Sequence, residues 1–204
     1  MRKLVSVIIG VCLCLGLFCV PVWANNQSAE QANLGKVLII YYSYTGNTEK
    51  VALLLQAKTN ADIYKLAPVE PYDAENLRVE VKLQREQGLM PALQAPAPDI
   101  AGYDLIIVGN PAWGGDVPPP MVTLLNQLSL EDARLAYFCT SGLRPREYME
   151  KFADYVPNTA ILDGVDFGEL AQDAGALEAA VEEWLTYLTT MLRDLAQNNF
   201  KGAL

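Results

Sequence analysis

The sequence predicts an α/β fold, in which an open, doubly wound sheet of five parallel strands carries helices on both faces. Short apolar runs alternate with helix-forming segments from residue 36 onward, and turn-forming residues separate them. This alternation is typical of right-handed βαβ units, for which the strand order 2-1-3-4-5 is a common solution. The run at 103–109 is apolar enough for a central strand of a parallel sheet. The 204 residues suffice for one domain with a sizeable core.

Each element is assigned from its own pattern. Strands are predicted at residues 36–42, 62–66, 103–109, 134–140 and 159–162. Helices are predicted around 51–55 and at 75–87, 118–128, 144–155 and 174–195, and a proline-containing surface loop at 88–98. The last helix is the clearest, because apolar residues recur along one face: Leu177, Val181, Trp184, Leu185, Leu188, Met191, Leu192 and Leu195. Trp184 is therefore predicted to be core.

The N-terminal residues have the pattern of a secretory signal peptide. Arg2 and Lys3 precede an apolar run at 4–20, and small residues at 22 and 24 suit cleavage after Ala24. The predicted organisation is a signal peptide at 1–24, a linker at 25–35 and one domain at 36–204. This predicts an extracytoplasmic location, either secreted or in the cell envelope. An uncleaved membrane anchor remains the alternative, because the apolar run is at the short limit for a membrane span.

Composition excludes several classes of function. The chain has no histidine, which excludes Ser-His-Asp and Cys-His catalysis and the usual histidine-containing zinc sites. Its net charge of −9 disfavours nucleic acid and anionic membrane surfaces as partners. Cleavage would leave Cys139 as the single cysteine, which we expect to be a small buried residue without a disulfide partner.

The turn after the first strand has the composition of a phosphate-binding loop. A helix N-terminus supplies free backbone N–H groups and partial positive charge, glycine lets backbone approach a ligand, and hydroxyl and amide side chains add donors. No Lys or Arg lies in the turn, so neutral donors would hold a phosphate dianion. The candidate residues are Ser43, Tyr44, Thr45, Gly46, Asn47 and Thr48. The alternative is an ordinary turn with Ser43 or Asn47 as the helix N-cap.

The predicted strand order places the loop after the third strand beside this turn, because ligands bind where the strand order reverses. This loop contains Pro111, Ala112, Trp113, Gly114 and Gly115. Its tryptophan is a candidate platform for a flat aromatic ring, and its glycines would expose backbone amides to that ring. The alternatives are a tryptophan folded back on its own loop or exposed for a protein contact.

Residues 43–48 match the S-x-T-G-N-T pattern of flavodoxins, and residues 111–115 resemble the P-x-W-x-G loop of one flavodoxin branch. The chain resembles an exported flavodoxin from residue 36 to about 195. The resemblance implies a flavodoxin-like fold and non-covalently bound FMN. It also implies that Thr140, Ser141 and Gly142, after the fourth strand, line the flavin through backbone amides. The sequence departs from the family in having no aromatic residue there before Tyr148, which would leave one flavin face open.

Three functions remain open on the sequence. The first is an electron carrier that serves a redox partner protein or a small quinone-like acceptor. The second is an FMN-dependent NAD(P)H:quinone-type reductase, for which Arg144 and Arg146 are the cations near enough to consider. The third is a flavin-free interaction module on the same scaffold. A membrane is expected as a partner only if the N-terminal segment stays uncleaved.

Overall fold

The computed structural model of the chain describes residues 34–131, 133–141 and 145–201. The predicted signal peptide, most of the predicted linker and Gly142 lie outside the described residues. In the part of the chain that is described, no helix is long and apolar enough to cross a membrane.

Five parallel strands form one sheet in the order β2-β1-β3-β4-β5, which confirms the predicted fold class. The strands are β1 Val37–Tyr42, β2 Asp62–Leu66, β3 Leu105–Pro111, β4 Arg134–Thr140 and β5 Ala160–Asp166. All six residues of β1 are buried, and alternate side chains enter the two opposite cores. Strand order therefore reverses between β1 and β3, and the loops after these strands lie at the switch point.

Helices cover both faces of the sheet. They are α1 Asn47–Thr59, α2 Leu77–Gln87, α3 Pro119–Leu125, α4 Pro145–Phe152 and α5 Ala174–Lys201, with 3₁₀ turns at Ala153–Tyr155 and Leu170–Gln172. Helices α1 and α5 contribute to one core, and α3 and α4 to the other. Trp184 is buried in the first core, as predicted, but Leu195 is 38% exposed. The prediction for Leu195 was wrong because the apolar residues of α5 that pack on the core end at Leu192.

Several predicted elements have different bounds in the structure, α3 and β5 among them. Helix α3 is shorter than the predicted 118–128. Pro118 is extended, and after Leu125 the backbone N–H groups donate to carbonyl oxygens three residues earlier, as in a 3₁₀ helix. Strand β5 runs past the predicted end at 162. Asp163-Gly164 has turn composition, yet both residues pair with β4, and the Trp184 indole N–H donates to the Asp163 carboxylate at 2.8 Å. Tertiary pairing therefore overrides the local preference.

The connection between β2 and β3 contains the predicted helix and the predicted loop, in an arrangement that the sequence does not indicate. Helix α2 packs against α3 and buries only Val81. Residues 88–98, predicted as a surface loop, are part of a helix-free return segment that partly covers the second core. Its partly buried members are Leu93, Ala97, Ile100 and Tyr103. This course leaves α2 beside the loop that follows β3.

Candidate functional site

The loop after β1 is shaped around the N-terminus of α1. Gly46 occupies the N-cap position with φ 91°, a left-handed conformation that glycine adopts without strain, and no atom lies within 4 Å of where a Cβ would be. Its N–H donates to Ser43 Oγ at 3.1 Å. Neither Ser43 nor Asn47 is the N-cap, and no side-chain hydrogen bond caps the helix. The ordinary capped turn is therefore not what the structure contains.

Several donors at this loop remain available to a ligand. In the described residues, the N–H groups of Asn47, Thr48 and Glu49 have no hydrogen-bond acceptor, as expected for the first turn of a helix. The side chain of Thr45 is exposed beside them. Free amides, the positive end of α1 and open space above Gly46 together suit an anion.

Thr48 links the first loop to the loop after β4. Its side chain is 1% exposed, and its Oγ1 lies 2.7 Å from Thr140 Oγ1 in a hydrogen bond. The Asn47 side chain is engaged differently, because its Oδ1 accepts from Gln172 Nε2 at 3.2 Å. The hydroxyl of Thr48 thus orders the loops relative to each other.

The loop after β3 meets the first loop through aromatic rings. The Trp113 ring contacts three tyrosine rings at nearly right angles, with centroid separations of 5.5 Å to Tyr42, 5.7 Å to Tyr44 and 5.0 Å to Tyr72. Tyr44 belongs to the first loop, so the structure brings the two loops together as the strand order requires. Trp113 is only half-buried. The tyrosine rings therefore fix the orientation of the indole ring. Its stacking against a flavin stays a prediction.

The two glycines of this loop differ in their surroundings. Gly114 and Gly115 have φ of 62° and 75°, and the backbone N–H groups of Trp113 and Asp116 donate to each other's carbonyl oxygens at 3.0 and 3.2 Å. Gly114 is exposed. Gly115 is buried, and a Cβ there would lie 2.7 Å from the Glu147 carboxylate on α4. Of the two predicted glycine contacts, Gly114 is the one with open access.

A charged cluster that the sequence analysis did not identify supports this loop. Arg85, on α2, donates through Nη2 to the carbonyl oxygens of Trp113 at 2.8 Å and Val117 at 3.2 Å. Asp116 accepts from the Tyr155 hydroxyl at 3.1 Å and lies 3.4 Å from Lys151 Nζ. Burial, with the Asp116 charge next, raises the pKa of Tyr155 to about 12. No local pattern in α2 indicates that Arg85 reaches a loop 28 residues away.

A cavity of about 190 Å³ opens on the α2 side of this cluster. Its lining includes Arg85, Asp116 and Tyr155, and none of the residues of the first loop. The cavity is therefore lined by Asp116 and Val117 of the loop after β3 and not by the first loop.

The loop after β4 is fixed by Asp166, at the end of β5. The carboxylate of Asp166 accepts from the Ser141 N–H at 3.0 Å, from the Ser141 hydroxyl, and from the Gly168 N–H at 2.9 Å. The Ser141 amide, predicted to line a flavin, is thus directed to Asp166 instead. Thr140 still contacts the first loop, through Thr48. Cys139 is fully buried below this loop, and burial raises the pKa of its thiol.

The remaining predicted positions are Pro111 and Ala112, both half-buried at the end of β3, where the Ala112 N–H donates to the Thr140 carbonyl oxygen at 3.3 Å. Tyr148 does not cover a ligand face, because it is fully buried and its hydroxyl donates to Asn110 Oδ1 at 3.0 Å. Within the described ranges, no group of His, Cys, Asp and Glu side chains could hold a metal ion.

A doubly wound sheet of this order, with an anion-binding loop after β1 and an aromatic loop after β3, defines the class of open α/β proteins that bind a ligand at the switch point. A family model described as flavodoxin matches residues 36–186. The chain belongs to the flavodoxin family, which confirms the resemblance inferred from its loops.

Solved structures agree with this assignment. A flavoprotein from Lactobacillus acidophilus NCFM, crystallised in complex with FMN, is 27% identical with a TM-score of 0.60, covering 68% of this chain and 97% of that one. A protein described as a flavoprotein from Bacteroides eggerthii DSM 20697 is 25% identical with a TM-score of 0.65, covering 76% and 98%. One from Bacteroides uniformis ATCC 8492, at 24% identity and a TM-score of 0.64, shows the same fold.

Proposed function

We propose that this chain is an exported flavodoxin that binds FMN non-covalently and transfers electrons. The observation that carries the proposal is the meeting of the α1 anion site with the Trp113 loop at the switch point of the sheet. Family membership supports FMN as the cofactor, and so does the FMN complex of the Lactobacillus relative.

The first loop suits the phosphate of FMN. The unpaired amides of Asn47, Thr48 and Glu49 and the Thr45 hydroxyl would donate to its oxygens, and the left-handed Gly46 keeps side-chain atoms out of the way. No cation is present in residues 43–48. The phosphate is therefore held by neutral donors and by the dipole of α1.

The Trp113 loop suits the ring of the flavin. The three tyrosines fix the orientation of the indole, and the exposed Gly114 gives backbone atoms access to a flat ligand. Bound FMN supplies electron transfer in steps of one or two electrons, and the protein supplies position and electrostatics. The buried Tyr148 and the absence of an aromatic residue at 140–141 fit a ring with one accessible face.

The electron acceptor is proposed to be a redox partner protein or a small quinone-like molecule. The net charge of −9 favours a basic surface on a protein partner. The signal-peptide pattern of residues 1–24 supports an extracytoplasmic site of action. Of the cations considered for nicotinamide binding, Arg146 is exposed and paired with Glu150 at 2.9 Å, and Arg144 lies outside the described residues. The NAD(P)H-dependent reductase remains the alternative, and a steady-state assay separates it from the carrier.

The test is a titration of the folded chain with FMN and then with riboflavin, followed by quenching of flavin fluorescence. It is done with the full chain and with a chain that begins at Asn25. Saturable quenching, with riboflavin binding much weaker, is expected. No quenching by a folded sample would refute FMN binding and favour an interaction module. Steady-state NAD(P)H oxidation with a quinone acceptor, if observed with the FMN-loaded protein, would replace the carrier by a reductase.

A further inference from the structure

Arg85 lies outside the loops expected to touch a flavin, yet it contacts the loop after β3 at both ends. It is in the last turn of α2, and its side chain is only 29% exposed. One guanidinium nitrogen, Nη2, donates to the carbonyl oxygens of Trp113 and Val117 at 2.8 and 3.2 Å. A hydrogen bond from a charged donor is stronger than one between neutral groups. Arg85 therefore joins the two ends of the segment that presents Trp113.

The segment between these carbonyls is held by the tyrosine rings around Trp113 and by the partners of Asp116, but two glycines lie between those anchors. Gly114 and Gly115 are both left-handed, and in the part of the chain that the structure describes Trp113 and Asp116 exchange backbone hydrogen bonds across them. Glycine is also the residue with the most backbone freedom to lose. An external clamp is therefore effective in keeping this segment in one conformation.

The guanidinium also brings charge to this segment. Arg85 Nε is buried without a hydrogen-bond acceptor among the described atoms and lies 3.9 Å from Asp116 Oδ2. Asp116 is further engaged by Tyr155 and Lys151, so it keeps partners if Arg85 is replaced. On the other side, Nη1 lies 3.5 Å from where a Cβ of Gly114 would be. The Arg85 charge, which Asp116 partly offsets, therefore lies beside the exposed glycine that is proposed to face the flavin ring.

We propose that Arg85 is a positioning residue of the flavin site, which preforms the Trp113–Val117 loop and raises the reduction potential of the bound flavin through its charge. The inference rests on the proposed function for the flavin and on the structure alone for the clamp. Positive charge near the ring favours the reduced, more negative form of a flavin. The clamp acts before the ligand arrives, which lowers the ordering cost of binding.

The clamp is tested without any flavin, by amide hydrogen exchange of the full chain. Arg85→Met removes the charge and all donors but keeps the apolar stem. Arg78→Met, on the same helix at an exposed position, is the matched control. We expect the amides of Trp113, Asp116 and Val117 to exchange roughly 10- to 100-fold faster in Arg85→Met, from the loss of two charge-assisted hydrogen bonds, and unchanged in the control. Unchanged exchange in Arg85→Met would overturn the clamp.

The effect on the flavin is tested with Arg85→Lys added, because lysine keeps the charge but lacks the planar fork. We expect Arg85→Met to lower the affinities for FMN and for riboflavin by the same factor, roughly 3- to 30-fold, because the loop contacts the ring and not the phosphate. The reduction potential of the flavin bound to Arg85→Met should be lower than that of the flavin bound to the wild type. Arg85→Lys should also bind more weakly but keep a potential close to that of the wild type.

The outcomes separate the parts of the proposal. Equal potentials in wild type and Arg85→Met would refute the electrostatic part, and equal affinities would refute the positioning part. A wild-type chain that does not bind FMN would instead refute the proposed function, while the exchange experiment would still decide the clamp. If Arg85→Met does not fold, Arg85→Lys decides both loop exchange and affinity.

Discussion

Replacing Trp113 by alanine should weaken both the fold and the flavin site, by amounts that can be measured separately. The Trp113 ring makes three perpendicular aromatic contacts, with Tyr42, Tyr44 and Tyr72. At roughly 0.5–1.5 kcal/mol for each pair, their loss lowers the free energy of unfolding by roughly 1.5–4.5 kcal/mol. Loss of stacking and burial against the flavin lowers the FMN binding free energy by roughly 1–3 kcal/mol, or about 5- to 150-fold in Kd.

The assay combines urea unfolding with FMN titration under conditions where each variant is folded. Trp113→Phe keeps a ring at this position and should recover most of the affinity. Trp184→Phe is the matched control, because Trp184 lies in the core on the α5 face, where its indole N–H donates to Asp163. It should lose stability and keep FMN affinity. A Trp113→Ala protein with the expected loss of stability but wild-type affinity for FMN would refute the platform assignment.

Three further changes test other parts of the structure. Thr45→Leu places a bulky side chain at an exposed position of the phosphate loop, so FMN should be weakened more than riboflavin in parallel titrations, and equal losses would contradict the phosphate assignment. Gly168→Ala would place a Cβ against the Ser141 carbonyl oxygen, so urea unfolding should show a loss of about 1–3 kcal/mol; a neutral result would contradict the tight contact. The Glu49 carboxylate accepts from Lys65 Nζ at 2.7 Å, which holds the pKa of Glu49 below its usual value. A lowered pKa in the folded state adds stability above the unfolded-state pKa of about 4.3 and loses it as pH falls through the folded-state pKa. Glu49→Gln should therefore be less stable than wild type at neutral pH, with the difference disappearing in acid, and a pH-independent difference would contradict this assignment.

The elements that the sequence predicted well are those whose residues carry their own signal. The β1 run and the apolar stripe of α5 are long and periodic, and both were found with small changes at their ends. Strand β5 was predicted to end at residue 162, and Asp163-Gly164, which continue it, have the composition of a turn. Only pairing with β4 shows that these residues continue the strand. Helix α2 was predicted within a few residues, but its position beside the Trp113 loop was not.

The candidate site also contains parts that the sequence predicted and parts that it did not. The loops after β1 and β3 were identified from their composition and from the rule that ligands bind at the switch point. Arg85 and Asp166 were not, because each acts on a loop distant in sequence through hydrogen bonds to backbone atoms. Such contacts depend on where a side chain arrives in space. They leave no pattern in the residues that make them.

The sequence by itself determined the strand and helix alternation, the strand order, the family and the two loops of the candidate site. These follow from hydrophobic periodicity, turn chemistry and the handedness of βαβ connections, which act locally or apply to every such sheet. Only the tertiary structure decided that Gly46 rather than a side chain is the N-cap of α1 and that the Ser141 N–H donates to Asp166. It also decided that Arg85 donates to the backbone of the Trp113 loop. Those features arise from contacts between segments far apart in the chain, and packing of the whole fold sets their distances.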